Sequence, residues 1–237
     1  MSKKASFKKS FGLLVLAVGL VMASRWVLFE PYVIPSGSMI PTLLVNDHII
    51  VSKYSFGLRW PFSSRWLTKP KLPNRGDVVV FRSVDNDNYY MIKRVIGLPG
   101  DKITYDEEGV LSVGGQPVES SWVSELPAWS AADIGDDISD YKVAEETIGE
   151  HKHFSLLAKD GFHYTEEEHV VPPDHIYLMG DNRDHSKDSR YWGDLPIQNL
   201  LGKATYVWLS CEKTLSQVNF ICDPRYIRWQ RFFHHIQ

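Results

Sequence analysis

Hydrophobic and polar positions change rhythm along this chain. Residues 1–10 are mostly polar and carry Lys3, Lys4, Lys8 and Lys9; residues 11–23 read FGLLVLAVGLVMA, and Trp26 to Phe29 resume the apolar run beyond Ser24 and Arg25. Taken as one helix, residues 11–29 rise about 28 Å at 1.5 Å per residue, close to a hydrocarbon layer of about 30 Å. The pattern predicts a basic tail over 1–10 and one transmembrane helix over 11–29, with the lysines on the cytoplasmic side and everything after Glu30 on the other. Arg25 is tolerable near the bilayer edge, where it can snorkel to the headgroups. Two other readings stand beside this anchor. A basic start with small residues at Val21 and Ala23 also suits a cleavable secretory signal. A buried helix of a soluble domain would not account for the lysines. The apolar stretch after Arg25 favours the permanent anchor.

After residue 30 the pattern shortens into strand-like runs: His48 to Lys53, Asp77 to Arg82, Tyr89 to Ile96, Asp101 to Tyr105, His175 to Met179 and Lys203 to Leu209. Turn signals separate them at Pro73-Asn74-Arg75-Gly76, Leu98-Pro99-Gly100 and Gly114-Gly115. The expectation for residues 30–237 is a mostly β domain of coiled, partly closed sheet, preceded by the one N-terminal transmembrane helix. Residues 120–168 differ, with an acidic stretch at Asp133 to Asp140 and a charged run at Ala144 to Lys152. They read as an insertion or subdomain that extends the β core without supplying chemistry. The aromatic segments Phe56 to Lys71 and Arg225 to His235 suit either a lipid surface or a cover over the core.

Composition narrows the function. A chain of 237 residues has room for one sizeable domain and an appendage, and its formal charge of −3 gives no reason to expect a nucleic-acid partner. Cys211 and Cys222 lack metal-site spacing; outside the cytoplasm they could close one disulfide, and two free thiols are the other reading. Nothing in the pattern calls for a metal or a cofactor.

Amide hydrolysis without metal or cysteine needs an activated hydroxyl. Ser38 stands in Pro35-Ser36-Gly37-Ser38-Met39-Ile40-Pro41-Thr42-Leu43, where proline restricts the backbone and glycine admits unusual geometry, so a serine can be held in one orientation. Taken alone, this segment also reads as an ordinary tight turn. Lys93 lies in the run MIKRVIG, and strand alternation groups it with Met91 and Val95 while Ile92, Arg94 and Ile96 face the other way. A desolvated lysine loses its proton more easily and can serve as a general base. In isolation a surface lysine is the commoner case.

Pro35 to Leu43, Gly76 to Arg82 (GDVVVFR), Tyr90 to Asp101 (YMIKRVIGLPGD) and Gly180 to Gly193 (GDNRDHSKDSRYWG), in this order behind the apolar N-terminal segment, closely resemble the type I signal peptidase family. The resemblance implies a membrane-bound serine endopeptidase that cuts signal peptides from exported preproteins, with Ser38 as nucleophile and Lys93 as general base. It implies that the Ser38 N–H and the Ser36 hydroxyl hold the oxyanion, and that Ser186 bonds the Lys93 amine. Asp188 would pair with Arg94 or Arg190, while Asp181 and Arg183 brace the turns. None of the clustered carboxylates is expected to ligate a metal, and His185 is not expected to form a triad. Substrates would be extended segments with small side chains, usually alanine, at the first and third positions before the cut. Ile34, Pro35, Met39, Met91 and Ile92 would line their pockets; many relatives have an aromatic residue where this chain has Met91. The expected setting is a bacterial inner membrane, crossed once, with the catalytic domain in the periplasm and the enzyme monomeric. A self-cleaving Ser/Lys repressor and a non-enzymatic export factor are the alternatives. The lysine-rich apolar start counts against the first, and the joint presence of Ser36, Ser38, Lys93, Ser186 and Asp188 against the second.

Overall fold

A computed structural model describes residues 10–19, 21, 28–60, 63, 65–84, 89–124, 138–160 and 165–237 of the chain. The described strands, in chain order, begin with β1 (Phe29–Val33), β2 (Asp47–Ser52), β3 (Val78–Arg82), β4 (Tyr90–Gly97), β5 (Lys102–Tyr105) and β6 (Leu111–Val113). They continue with β7 (Gln116–Pro117), β8 (Glu119–Val123), β9 (Tyr141–Ile148), β10 (His151–Ala158), β11 (Glu166–Val170) and β12 (His175–Met179). The last are β13 (Leu195–Pro196), β14 (Leu200–Ser210), β15 (Thr214–Leu215), β16 (Val218–Cys222) and β17 (His234–His235).

An eight-stranded sheet in the order β1-β2-β14-β3-β4-β12-β13, with β17 added to β14, carries the core. Both faces of its middle are buried, which explains why β3 is a continuous apolar run rather than an alternating one. Val78 and Val80 pack on one side with Ile34, Met39, Ile49 and Ile92. Val79 and Phe81 pack on the other with Val95, Leu178 and Leu195, and Met91 and Trp66 lie against that cluster. Phe56, also in it, and Trp66 make part of the 56–71 segment a cover over the core, although Trp60 is exposed. In the C-terminal segment Arg231 is buried against Asp47 at 2.5 Å, whereas Trp229 and Phe233 face outward. Cys211 and Cys222 are bonded to each other. The middle is mostly β, as the alternation of residues 30–237 predicts.

β8, β9 and β10 form a separate three-stranded sheet that spans residues 119–158 and so falls almost wholly in the 120–168 region. Its long hairpin, β9–β10, was not legible as strands, because charged residues interrupt the alternation of buried positions. Gly149 makes the turn possible: its φ is 63°, and a Cβ there would stand 2.6 Å from the Arg75 carbonyl oxygen.

The N-terminal expectation needs correcting. Among the described residues, helix runs over 10–19, with residue 21. Among the described residues no helix is long and apolar enough to cross a membrane. The far end of the expected span is taken by the sheet instead: Phe29 opens β1 and pairs with Ser52, and the Lys53 N–H donates to the Leu28 carbonyl. Residues 20 and 22–27 of that span lie outside the described residues. The transmembrane helix over 11–29 is therefore withdrawn, and with it the single-pass placement in an inner membrane.

Candidate active site

Ser38 sits on a loop that continues from β1. The Ile34 N–H donates to the Asp47 carbonyl at 2.9 Å, and the Asn46 N–H returns to the Ile34 carbonyl, so both ends of the loop are tied together. Between them the chain turns at Gly37–Ile40, with the Ile40 N–H donating to Gly37 at 3.1 Å and the Leu43 N–H to Met39 at 2.9 Å. Met39, Leu43 and Leu44 are wholly buried and pin the loop down, while Pro35 and Ser36 remain exposed at its rim. Asp47 closes the loop by accepting from the Leu44 N–H at 2.8 Å.

Lys93 comes from the centre of β4, opposite Val79. Its ammonium nitrogen is 2.5 Å from Ser38 Oγ and donates to the Ile92 carbonyl at 3.0 Å. The side chain retains only 3% of its exposure. Burial pushes the Lys93 pKa down to about 8; Asp188 and Asp181 oppose that drop, and Arg190 adds to it. A lysine in this state supplies a neutral amine near neutral pH, which a solvated one does not.

The remaining expected residues are distributed around this pair. Asp188 pairs with Arg190 (2.8 Å), not Arg94, and accepts from the Gly180 N–H at 2.9 Å. Asp188 also caps the single helical turn Ser189–Trp192. Arg94 pairs with Asp181 through two bonds of 2.8 and 2.7 Å, and Asp181 accepts from Thr42 Oγ1 at 2.5 Å. Arg94 holds the Asp181 carboxyl below the usual carboxylate range, although burial pushes the other way more strongly than any single partner. Ser186 is buried, and its hydroxyl has no hydrogen-bond partner among the described residues; its bond to Lys93 is not formed. Space there is tight, since a Cβ on Gly180 would meet Ser186 Oγ at 2.3 Å and the Ser38 carbonyl at 2.4 Å. Of the residues expected to line substrate pockets, Ile34, Met39 and Ile92 share one buried cluster, Met91 packs against the other, and Pro35 lies at the exposed rim.

Two supporting residues were overlooked in the sequence, although both lie inside quoted motifs. Asn182 donates from its backbone to the Ser38 carbonyl and from its side chain to the Gly37 carbonyl, each at 3.2 Å. Thr42 links the same loop to Asp181. His185 is exposed, 3.4 Å from the Tyr141 hydroxyl. Among the described residues His48, Cys211 and Cys222 lie close enough together to hold an ion, but the two sulfurs are bonded to each other and offer no thiolate.

Residues 7–209 match the family described as signal peptidase, peptidase S26. Signal peptidase I of Buchnera aphidicola subsp. Schizaphis graminum is 36% identical over 246 residues, covering 90% of this chain and 78% of its own. The enzyme of that name from Pseudomonas aeruginosa is 39% identical over 204 residues, covering 81% and 68%. A crystal structure of a signal peptidase I from Enterococcus faecalis overlaps 56% of this chain and 97% of its own at 24% identity and a TM-score of 0.33. A match over most of the chain, with relatives this similar over most of their own length, makes this protein a member of the signal peptidase family, peptidase S26.

Proposed function

We propose that Ser38 is the nucleophile and Lys93 the general base with which this signal peptidase, a serine endopeptidase of the Ser/Lys type, releases exported preproteins from their signal peptides. The observation that carries the reading is the 2.5 Å approach of the Lys93 amine to Ser38 Oγ inside a buried site. The neutral amine takes the hydroxyl proton as Oγ attacks the scissile carbonyl. The C–N bond then breaks, the leaving amine receives that proton, and an acyl-enzyme remains on Ser38. Lys93 next removes a proton from water, whose oxygen attacks the ester carbonyl; the acyl C–Oγ bond breaks, and Lys93 returns the proton to Ser38 Oγ as the acid product leaves. The Ser38 N–H and the Ser36 hydroxyl stabilise the oxyanion in both steps, each such donor contributing about 3 kcal/mol.

The substrate lies extended along a strand edge, with shallow apolar pockets testing alternate side chains. Small residues, usually alanine, fit at the first and third positions before the cut; Pro35 at the rim shapes those pockets with Ile34, Met39 and Ile92 behind it, whereas Met91 packs against the other cluster. Asp181 with Arg94, and Asp188 with Arg190, hold the walls, and Ser186 stands beside the base. Residues 30–237 form the catalytic domain and 120–168 its inserted subdomain. The enzyme meets secreted preproteins in a membrane setting, and a monomer suffices for the reaction, since one chain supplies both members of the dyad.

The test is incubation of the purified chain with a preprotein carrying an Ala-X-Ala cut site, followed by N-terminal sequencing of the product. Ser38→Ala and Lys93→Ala are each expected to fold and to leave the preprotein intact. Near-normal cleavage by either variant would overturn the dyad.

A further inference from the structure

The inserted sheet makes close contacts with the loop that carries the nucleophile. Ile40 and Leu44 of that loop are buried in one cluster with Tyr141 and Val143 of β9 and Leu156 of β10. Behind the loop runs the segment 181–183, bound on one side to Ser38, Gly37 and Thr42 by the Asn182 and Asp181 bonds already described. Its other side is bound to the inserted sheet. The Leu156 N–H donates to the Asp181 carbonyl at 2.8 Å, and Leu156 and Asn182 pair as a parallel bridge.

Charge completes the attachment. Glu146 of β9 is 2% exposed and bonds the buried Arg183 guanidinium, while Ser155 Oγ of β10 donates to its other oxygen at 2.8 Å. His153 of β10 stands between two carboxylates, 3.4 Å from Glu146 and 3.8 Å from Asp181. An extension that only enlarged the core could have met this segment through apolar side chains. A carboxylate withdrawn from water and aimed at one guanidinium fixes direction as well as contact.

We infer that the inserted sheet positions the nucleophile: Glu146, through Arg183 and beside His153, holds the 181–183 segment against which the Ser38 loop is docked. Glu146 touches no reacting atom and is a positioning residue. The inference rests on Ser38 being the nucleophile. On this inference residues 120–168 position the chemistry without supplying a reacting atom.

Misplacing a catalytic group by about 1 Å can cost on the order of a hundredfold in rate, so loosening this attachment has a kinetic signature. Four variants of the full chain are assayed on the Ala-X-Ala preprotein: Glu146→Gln, the double variant Glu146→Met/Arg183→Met, Glu145→Gln as a neighbour on the same strand, and Ser38→Ala. Rates are read per folded molecule, well below each variant's unfolding midpoint. Glu146→Gln is expected to lose kcat by at least about tenfold, with KM unchanged within about twofold. The double variant removes both charges and is expected to unfold later than Glu146→Gln while its kcat stays low. Glu145→Gln should cleave normally. A near-normal kcat in Glu146→Gln, or recovery of kcat in the double variant, overturns the inference whatever the midpoints do, because the pair would then serve folding alone. Residual cleavage by Ser38→Ala would instead overturn the nucleophile itself.

Discussion

Two neighbouring residues of β4, Lys93 and Arg94, are both buried cations, and their surroundings use burial in opposite ways. Arg94 points into a region where each cation meets a carboxylate: Arg94 with Asp181, and farther on Arg183 with Glu146. Lys93 meets a hydroxyl and a backbone carbonyl instead, with carboxylates acting on it only at longer range. Guanidinium keeps its proton and is fixed in place by two parallel bonds, whereas an ammonium without a contacting anion is pushed toward its neutral form. The same withdrawal from water that ties charges together in one region favours a neutral amine in the other.

That contrast can be broken most sharply by exchanging the cations. Lys93→Arg places a permanently charged guanidinium where the base should be, and kcat is expected to fall by about 10²–10⁴-fold while the protein stays folded; single-turnover cleavage of a preprotein measures it. Arg94→Met strikes the other region, leaving Asp181 buried without its partner. The expected cost is about 3–5 kcal/mol of stability, read from the shift of the urea midpoint, and an unchanged midpoint would mean the pair contributes no rigidity. The third effect is a displacement in pH. Since Lys93 must be neutral to accept a proton and titrates at about 8, kcat should climb as pH rises through that value and then level off. Asp188 is the carboxylate that most favours the charged form, so Asp188→Asn should move the midpoint of the pH–rate profile downward; an upward move would contradict the electrostatic account. The smallest change belongs outside both regions. His185→Ala removes an exposed imidazole, and a stability change within about 0.5 kcal/mol with nearly normal cleavage is expected.

How much of this was legible in the sequence depended on how local the signal was. Ser38 and Lys93 each stand in a short motif, and β3, β4 and β12 show themselves through runs of apolar residues. Thr42 and Asn182 lay within the quoted motifs, yet their role depends on the loop and the 181–183 segment meeting across the fold. Glu146 stood in the charged run Ala144 to Lys152, and residue type alone does not reveal that a carboxylate is buried when its partner is far away in the chain. Arg190 rather than Arg94 takes Asp188 because the turn at Ser189–Trp192 folds Arg190 back onto it. The N-terminal apolar run failed for the opposite reason. Its composition suited a long helix, but Phe29 was claimed by pairing with β2, a competition that no hydropathy count contains.

By itself, the sequence determined a mostly β domain, since alternation is a property of neighbouring residues; the residues alone left Ser38 and Lys93 open, and only the family resemblance of their motifs singled them out. Only the tertiary structure decided which charges are buried together, that the two cysteines are bonded, and that the β8–β10 sheet is joined to the Ser38 loop. Burial and distance depend on elements far apart in the chain, and the same lysine or glutamate has different chemistry once water is removed from around it.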